Sequence, residues 1–434
     1  SITCYGLRFK LKLMFGRLAG SLKQEGQHTG QYNEAVCGAS GVFCKTSAKE
    51  IWQDIQAAAN EYYQPGKFTT LPAFEWSSAP NGGNLHRNVF FRDTNVPARP
   101  MGAAELSEPE QLWDWLASLE KQGMNVIAIP HNSNASKGTM FTPMRADGKP
   151  LDREYAEMRS RFEPLIEMMQ IKGNSEVHRS FWTADEFANF ENADSLGDYS
   201  GRSLEKFGKT NWVRWGVTKG LDYEKSLGVN PYHYGFVGGT DSHNGTPANV
   251  AEDNFATGSH GAADATVERR RNEEVGGWLR GKDLNPGALT AVWAPENTRE
   301  AIWDGLKARE TFATSGPRMK VRFFGQMGEG EAPTDPKSLV ERGYAEGVPM
   351  GGTLKAGQGA PSFTVWAMKG PDDGNLDRIQ IIKGWVDAKG EPQDQVFDVV
   401  WSGDRKAGKD GKVPAVGNTV DIKTATYTNA IGSS

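Results

Sequence analysis

The sequence lacks a long apolar run and an excess of positive charge. No segment is apolar over the roughly 20 residues that a helix needs to cross a bilayer, so membrane insertion is not expected. The net charge is −5 and the pI is about 5.9, which argues against an electrostatic surface for nucleic acid. We therefore expect neither a membrane nor a nucleic acid as a partner.

Several catalytic motifs are also absent. The chain has no G-x-S-x-G nucleophile elbow between a strand and a helix, no G-x-x-x-x-G-K-[ST] phosphate loop and no well-placed dinucleotide fingerprint. Neither Cys37 nor Cys44 has the strand and histidine context of a catalytic thiol. These absences disfavour serine, P-loop, dinucleotide-dependent and thiol mechanisms.

Cysteine is scarce, with Cys4, Cys37 and Cys44 as the three examples. Cys37 and Cys44 enclose the loop "GASGVF", which is short enough to be closed by a disulfide. Zinc binding by this pair is disfavoured, because the spacing does not suit a zinc knuckle and no histidine lies close by. A disulfide and two free thiols both stay open. A disulfide would favour a periplasmic or secreted protein, with the cytoplasm as the alternative.

Short apolar segments alternate with helical ones between about residues 49 and 314. The strand-like segments include "FTTLPAFEW", "NVIAIP", "PLIEMMQIK" and "YGFVGG", and the helical ones include "AKEIWQDIQAAANEYY" and "NTREAIWDGLKARE". This alternation predicts an α/β fold with a parallel sheet covered on both faces. In a βα barrel, the active site lies at the C-terminal ends of the strands.

After about Arg318 the pattern changes to short β-rich segments separated by Gly, Pro and Asp. The segments "RMKVRFFG", "PSFTVWAMKG", "DRIQIIKGW" and "QVFDVVWSG" predict an antiparallel, sandwich-like β domain. We expect a barrel domain over residues 1–317 and this β domain over residues 318–434.

Polar residues recur where the apolar strands end. Glu75 ends one strand, His86 follows it as the return of a hairpin would place it, and His131 follows "NVIAIP". Asp241 and His243 follow "YGFVGG". Any one of them alone is more often structural, but imidazoles and carboxylates that converge on one edge suit Mn, Zn or Fe. We predict these five residues as metal ligands.

Other polar residues are candidates for contact with the substrate. The predicted catalytic residues are His178, Glu176 and Arg87, and the predicted substrate-binding residues are Lys172, Asn132 and Arg318. Cations near a metal suit an anionic group such as phosphate, since Arg can bind two oxygens at once. The alternative for each cation is an ordinary surface or interdomain charge.

The strings "FTTLPAFEW", "GGNLHRNVFFRD", "IPHNSNASKGTMF", "IEMMQIKGNSEVH" and "GFVGGTDSHNG" resemble the bacterial domain-of-unknown-function 3604 family. That family is similar to the PHP (polymerase and histidinol phosphatase) metallohydrolases, and the resemblance covers about residue 37 to the C-terminus. It implies a distorted TIM-like barrel with two or three divalent ions in the complete enzyme. Glu75, His86, His131 and the pair Asp241 and His243 match the PHP ligand positions.

One departure from the PHP pattern concerns the first strands. PHP proteins open with a His-x-His motif and an Asp-His pair, whereas the only histidine before Glu75 is His28, in "GQHTG". The expectation is that the first strands are missing from this chain and that it is a truncated form of an active parent.

The residues and the resemblance together predict a metal-dependent hydrolase of phosphate mono- or diesters that uses metal-activated water. Hydrolysis of carbon–nitrogen or carboxylic ester bonds is the enzymatic alternative, and a non-catalytic ligand-binding relic is the other. The expected partner is a small anionic substrate. The sequence leaves open whether the chain forms a homo-oligomer.

Overall fold

The computed structural model describes residues 32–199, 201, 206–241, 267–275, 279–328, 330 and 333–433. Helices and strands alternate in this part of the chain, which confirms the predicted mixture of α and β structure. The α-helices described are α1 (Glu34–Cys37), α2 (Val42–Glu61), α3 (Pro109–Glu120), α4 (Arg153–Phe162), α5 (Ser195–Tyr199), α6 (Val213–Leu227), α7 (Val267–Asn272), α8 (Arg299–Ala308) and α9 (Pro336–Glu346).

The strands described up to residue 314 are β1 (Ala73–Trp76), β2 (Arg87–Phe91), β3 (Val126–Pro130), β4 (Leu165–Gln170), β5 (Gly173–Asn174), β6 (Gly235–Gly238), β7 (Glu274–Val275), β8 (Leu279–Arg280), β9 (Leu289–Val292) and β10 (Thr311–Thr314). The later strands are β11 (Lys320–Met327), β12 (Val348–Pro349), β13 (Pro361–Met368), β14 (Arg378–Val386) and β15 (Pro392–Trp401). The strands predicted from apolar segments are therefore present, although several are shorter than expected.

The first sheet is antiparallel, which corrects the expectation of a parallel sheet there. Its order is β1-β2-β3, and both pairings are antiparallel. The connection from β1 to β2 spans residues 77–86, which is too short for the crossover that parallel strands require. As a consequence β1 and β3 run in the same direction, and the C-terminal ends of both lie at the edge where β2 begins.

Parallel pairing occurs between β4 and β6, with β5 on the other side of β4. β9 and β10 form a separate antiparallel pair, and so do β7 and β8. Together with two sheets formed by the strands β11 to β15, the strands of the described ranges form six small sheets and close no barrel. The reason is that the hydrogen-bonded ladders are short and stop between β3 and β4 and between β6 and β10.

The main core lies between the first sheet and the helices α2, α3 and α4. Trp52 on α2, Trp76 on β1 and Trp113 on α3 are almost fully buried there, together with Phe91 and Leu112. Each large apolar side chain contributes about 1.5–3 kcal/mol on burial, so this packing fixes the position of β1 and β3. The edge that carries the predicted ligands is thus anchored by the largest core cluster of the described residues.

Antiparallel β structure dominates after residue 318, as predicted. β11 pairs with β12 and β13, and β14 pairs with β15. The β14–β15 hairpin packs on α6, and Asp394 of β15 accepts a hydrogen bond from Trp182 with an Nε1–Oδ2 distance of 2.7 Å. The boundary at residue 317 and the sandwich arrangement stay predictions.

A disulfide, one of the two alternatives that the sequence leaves open, joins Cys37 at the end of α1 to Cys44 in the first turn of α2. It ties two neighbouring helices across a loop of six residues. Among the helices of the described ranges, none combines the length and the apolar character that a bilayer crossing needs.

Candidate metal centre

Three ligand-type side chains meet at one edge of the first sheet. One ligand atom each from Glu75, His86 and His131 lies within 4.8 Å of the other two. The Nδ1 atom of His86 is 2.8 Å from Oε1 of Glu75, and the Nε2 atom of His131 is 3.3 Å from the same oxygen. The two imidazole rings are nearly perpendicular, with centroids 5.6 Å apart. We call these three residues the His–Glu cluster.

The strand order explains why residues so far apart in sequence come together. Glu75 lies at the C-terminal end of β1, His86 directly precedes β2, and His131 directly follows β3. Since β2 runs against both neighbours, these three positions share one edge of the sheet. The backbone N–H of His131 donates to the carbonyl of His86 at 3.2 Å, which fixes the two histidines side by side.

Burial makes the electrostatics of the His–Glu cluster strong. The His131 side chain is 1% exposed, Glu75 13% and His86 21%. Burial alone would raise the pKa of Glu75, but contacts with His131 and His86 outweigh it and hold this pKa well below its usual range. Burial lowers the pKa of His86, whereas the contact with Glu75 and nearby carboxylate charges overcome burial and raise the pKa of His131 to about 9. The cluster is therefore a site where protons and cations compete.

The donor set fits a divalent ion. Two imidazoles and one carboxylate are ligands that Zn, Mn and Fe accept in proteins. Both ring nitrogens of His131 are buried, and in the described part of the chain neither has a hydrogen-bond partner of good geometry. Nε2 keeps its 3.3 Å contact with Glu75, whereas Nδ1 is a buried polar atom that costs stability unless another group completes its contacts. A metal ion at Nδ1 would do so.

Two further carboxylates lie close to the cluster. Asp241 follows β6, and its charge acts on both His86 and His131. Glu167 on β4 is 5% exposed and accepts a hydrogen bond at 3.2 Å from the backbone N–H of Asn132. Burial raises the pKa of Glu167 to about 7, and the charge of Asp241 adds to the effect. Negative charge is thus concentrated around His131.

Sequence reasoning missed Glu167. The signal was present, because a single carboxylate stands inside the otherwise apolar strand "PLIEMMQ". A buried strand keeps a charged residue only where that residue is paired or bound to a cation. That rule identifies Glu167 as a site residue without the structure.

The predicted substrate-binding Lys172 lies at this site and is engaged with Asp241. Its Nζ contacts Oδ2 of Asp241, and Nε2 of Gln170 donates to the same oxygen at 2.8 Å. The Lys172 side chain is 3% exposed, so its ammonium group places a positive charge in the buried interior beside Asp241. Asn132, which is also predicted to bind substrate, is fully buried next to His131.

His178 and Glu176 are held in other surroundings. His178 lies among aromatic rings, with its centroid 5.0 Å from that of Phe207 and 5.2 Å from that of Trp212. Glu176 accepts a hydrogen bond from Arg214, with a distance of 2.7 Å from Nη2 to Oε1. The structure therefore brings neither side chain into the His–Glu cluster.

Arg87 is paired with Glu163, and Arg318 lies at the surface. The Arg87 side chain is 1% exposed and its Nε donates to Oε1 of Glu163 at 3.0 Å, on the opposite side of β2 from His86. Arg318 is exposed, and its backbone N–H donates to Asp373 at 3.3 Å. His243 lies outside the described residues, so its predicted role as a ligand stays a prediction.

Comparison with known proteins identifies the family. The profile of the family described as "Protein of unknown function (DUF3604)" matches residues 14–434. The chain belongs to this family. No curated protein and no solved structure matches it.

Proposed function

We propose that this DUF3604 chain is a metal-dependent hydrolase whose substrates are phosphate mono- or diesters. The observation that carries the proposal is the His–Glu cluster, in which the fully buried His131 contacts Glu75 through Nε2 and has no hydrogen-bond partner at Nδ1. Glu75, His86 and His131 would hold a divalent ion, with Asp241 and His243 as further ligands. A bound ion of this kind lowers the pKa of water and polarises a phosphoryl oxygen.

The chain's own residues provide the charge and the shielding that such a reaction needs. Lys172 supplies a buried positive charge that is balanced by Asp241 in the described structure. A positive charge at low solvent exposure stabilises an anionic oxygen more strongly than it would in water. Arg87 cannot share this task without leaving Glu163, so we assign the cationic role to Lys172 alone.

The finer fold assignment is part of the same proposal. We infer that the chain is related to the PHP metallohydrolases and that its first ten strands are parts of an open, distorted barrel. In support, β3 lies beside β4 and β6 lies beside β10, although no ladder joins them. The Cys37–Cys44 disulfide supports a periplasmic or secreted location.

The experiment is metal analysis combined with an ester panel. We expect the purified chain to bind Mn, Zn or Fe and to hydrolyse an aryl phosphate monoester or diester. Glu75→Gln and His131→Ala should lose the metal and the activity together, since each removes a ligand of the cluster. Loss of even an outer contact commonly weakens metal affinity by about 10- to 100-fold, so a lost ligand should cost at least as much.

His233→Gln is the matched control, because His233 is half-buried and lies outside the cluster. It should keep the metal content and the turnover of the wild type. Metal binding without turnover of any ester would indicate a ligand-binding relic. Turnover of amides or carboxylic esters alone would contradict the phosphate assignment, and a chain that binds no metal would overturn the proposal.

A further inference from the structure

Buried polar atoms without partners are concentrated in one short segment beside the cluster. Six such atoms lie in residues 131–134: both ring nitrogens of His131, both amide atoms of Asn132, Oγ of Ser133 and Oδ1 of Asn134. All four residues are at most 1% exposed. Because buried polar groups are almost always satisfied by protein, water or ligand, a water or a ligand is expected to complete the contacts of this segment.

Asn132 and Asn134 show how unequal the roles in this segment are. Both are 0% exposed. Nδ2 of Asn134 donates to the carbonyls of Lys172 and Asn174, each at 3.2 Å, so this amide ties together two parts of the chain. Neither amide atom of Asn132 has a partner in the described structure. The first side chain serves the fold, whereas the second has no structural contact to serve.

The backbone of Asn132 is held in a conformation that side chains rarely adopt. Its φ is 61° and its ψ is 37°, in the left-handed region. Its N–H donates to Glu167, and its carbonyl accepts from the N–H of Ala135 at 3.1 Å. Strained residues that are fixed from both sides in this way cluster at functional sites. The strain and the unsatisfied amide both fall on the residue next to the central ligand of the cluster.

The sequence analysis predicts that Asn132 binds substrate, and we infer how it does so: its side-chain amide donates a hydrogen bond to a non-bridging oxygen of the phosphate ester. This inference rests on the proposed function, and it adds the group that orients the ester beside the cluster. A carboxamide suits this position because it donates without adding charge next to Glu167 and Asp241. Preorganised donors of this kind act most strongly where water is excluded.

The test compares two deletions of a buried carboxamide. Asn132→Gly removes the side chain and relieves the left-handed backbone, while Asn134→Ala removes an amide that the fold uses. Thermal unfolding of the metal-free proteins, metal content, the binding of inorganic phosphate to the metal-loaded proteins, and kcat/KM on an aryl phosphate are measured for both variants and the wild type.

We expect N132G to keep its unfolding midpoint and its metal content. Its affinity for phosphate and its kcat/KM should fall by about 10- to 100-fold, the range for loss of one hydrogen bond to a charged group. N134A should instead unfold at a lower temperature. If N132G is destabilised as much as N134A, or if the wild type is active and N132G equals it in phosphate binding and kcat/KM, the inference is overturned. A wild type that binds metal but neither binds phosphate nor cleaves any phosphate ester overturns the proposed function as well.

Discussion

Two buried polar clusters lie on opposite sides of the first sheet. Each contains one of two adjacent residues at the start of β2. His86 belongs to the His–Glu cluster, whereas Arg87 pairs with Glu163. Glu163 is paired with two guanidiniums: Nε of Arg87 lies 3.0 Å from Oε1, Nε of Arg159 lies 3.1 Å from Oε2, and Trp113 donates to Oε1 at 2.8 Å. We call this second group the Arg–Glu cluster.

The difference between the clusters separates a structural role from a functional one. In the Arg–Glu cluster two guanidiniums flank one carboxylate, and other N–H groups of these guanidiniums donate to the carbonyls of Leu85 and Met140. In the His–Glu cluster the carboxylate lies between two imidazoles, and Nδ1 of His131 is buried without a hydrogen-bond partner. Buried charges that are paired within the chain hold a fold together, whereas a buried imidazole nitrogen without any contact supports the proposal that a ligand binds there.

The largest expected effect comes from removing the charge of Glu163. Glu163→Gln leaves the guanidiniums of Arg87 and Arg159 buried without a carboxylate, and breaking a buried pair in this way costs about 3–5 kcal/mol. Chemical denaturation should show this loss of unfolding free energy. The metal content of the protein that remains folded should equal that of the wild type.

Glu75→Gln is expected to change metal content, the property that Glu163→Gln leaves unchanged. It should abolish metal binding, because it removes the carboxylate shared by both histidines of the cluster. A Glu163→Gln protein that loses its metal while it stays fully folded would contradict the division into a structural and a functional cluster. So would a Glu75→Gln protein that still binds the metal.

The strand pattern made much of the His–Glu cluster predictable. A hairpin return from Glu75 to His86 and a polar residue after an apolar strand were enough to bring Glu75, His86 and His131 to one edge. Arg87 shows where this reasoning fails. Successive residues of an extended strand point to opposite faces. Where the backbone is extended, the residue next to a ligand in sequence therefore lies on the other face of the sheet and cannot contact the same metal.

The direction in which neighbouring strands pair could not be predicted from the same pattern. Apolar segments of similar composition form an antiparallel trio in β1, β2 and β3 but a parallel pair in β4 and β6. Period and composition report that a strand is buried on both faces, and they do not report the direction of its neighbour. The connection lengths between strands carry that information only where they are very short, as between β1 and β2.

His178, which lies outside both clusters, extends the comparison and predicts an effect of pH on stability. Burial among aromatic rings lowers the pKa of His178 from 6.5 to about 4. The unfolded chain therefore binds more protons than the native state between these two values, so this contribution to stability is complete above about pH 6.5 and is lost as the pH falls toward 4. With allowance for solvent screening near Asp194, we expect the loss to be about 2 kcal/mol between about pH 7 and pH 4.5.

His178→Gln isolates this contribution, because Gln does not titrate in the range. Denaturant unfolding at both pH values should show that the variant loses about 2 kcal/mol less than the wild type on acidification. An equal loss in the two proteins would mean that His178 takes up a proton in the folded protein as readily as in the unfolded chain. That result would remove the contrast with His131, whose neighbouring carboxylates raise its pKa instead.

The smallest expected effect tests whether the indole of Trp113 is part of the Arg–Glu cluster. Trp113→Phe removes the hydrogen bond to Oε1 of Glu163, and Trp52→Phe is a matched control whose Nε1 donates to the neutral carbonyl of Pro97 at 2.8 Å. Both indoles are almost fully buried, so the lost volume is the same. Since hydrogen bonds to charged groups contribute about 1 kcal/mol more than those to neutral groups, W113F should be destabilised by that much more than W52F. The excess should disappear in a Glu163→Gln background, and an excess that persists there would assign it to packing rather than to the charge of the cluster.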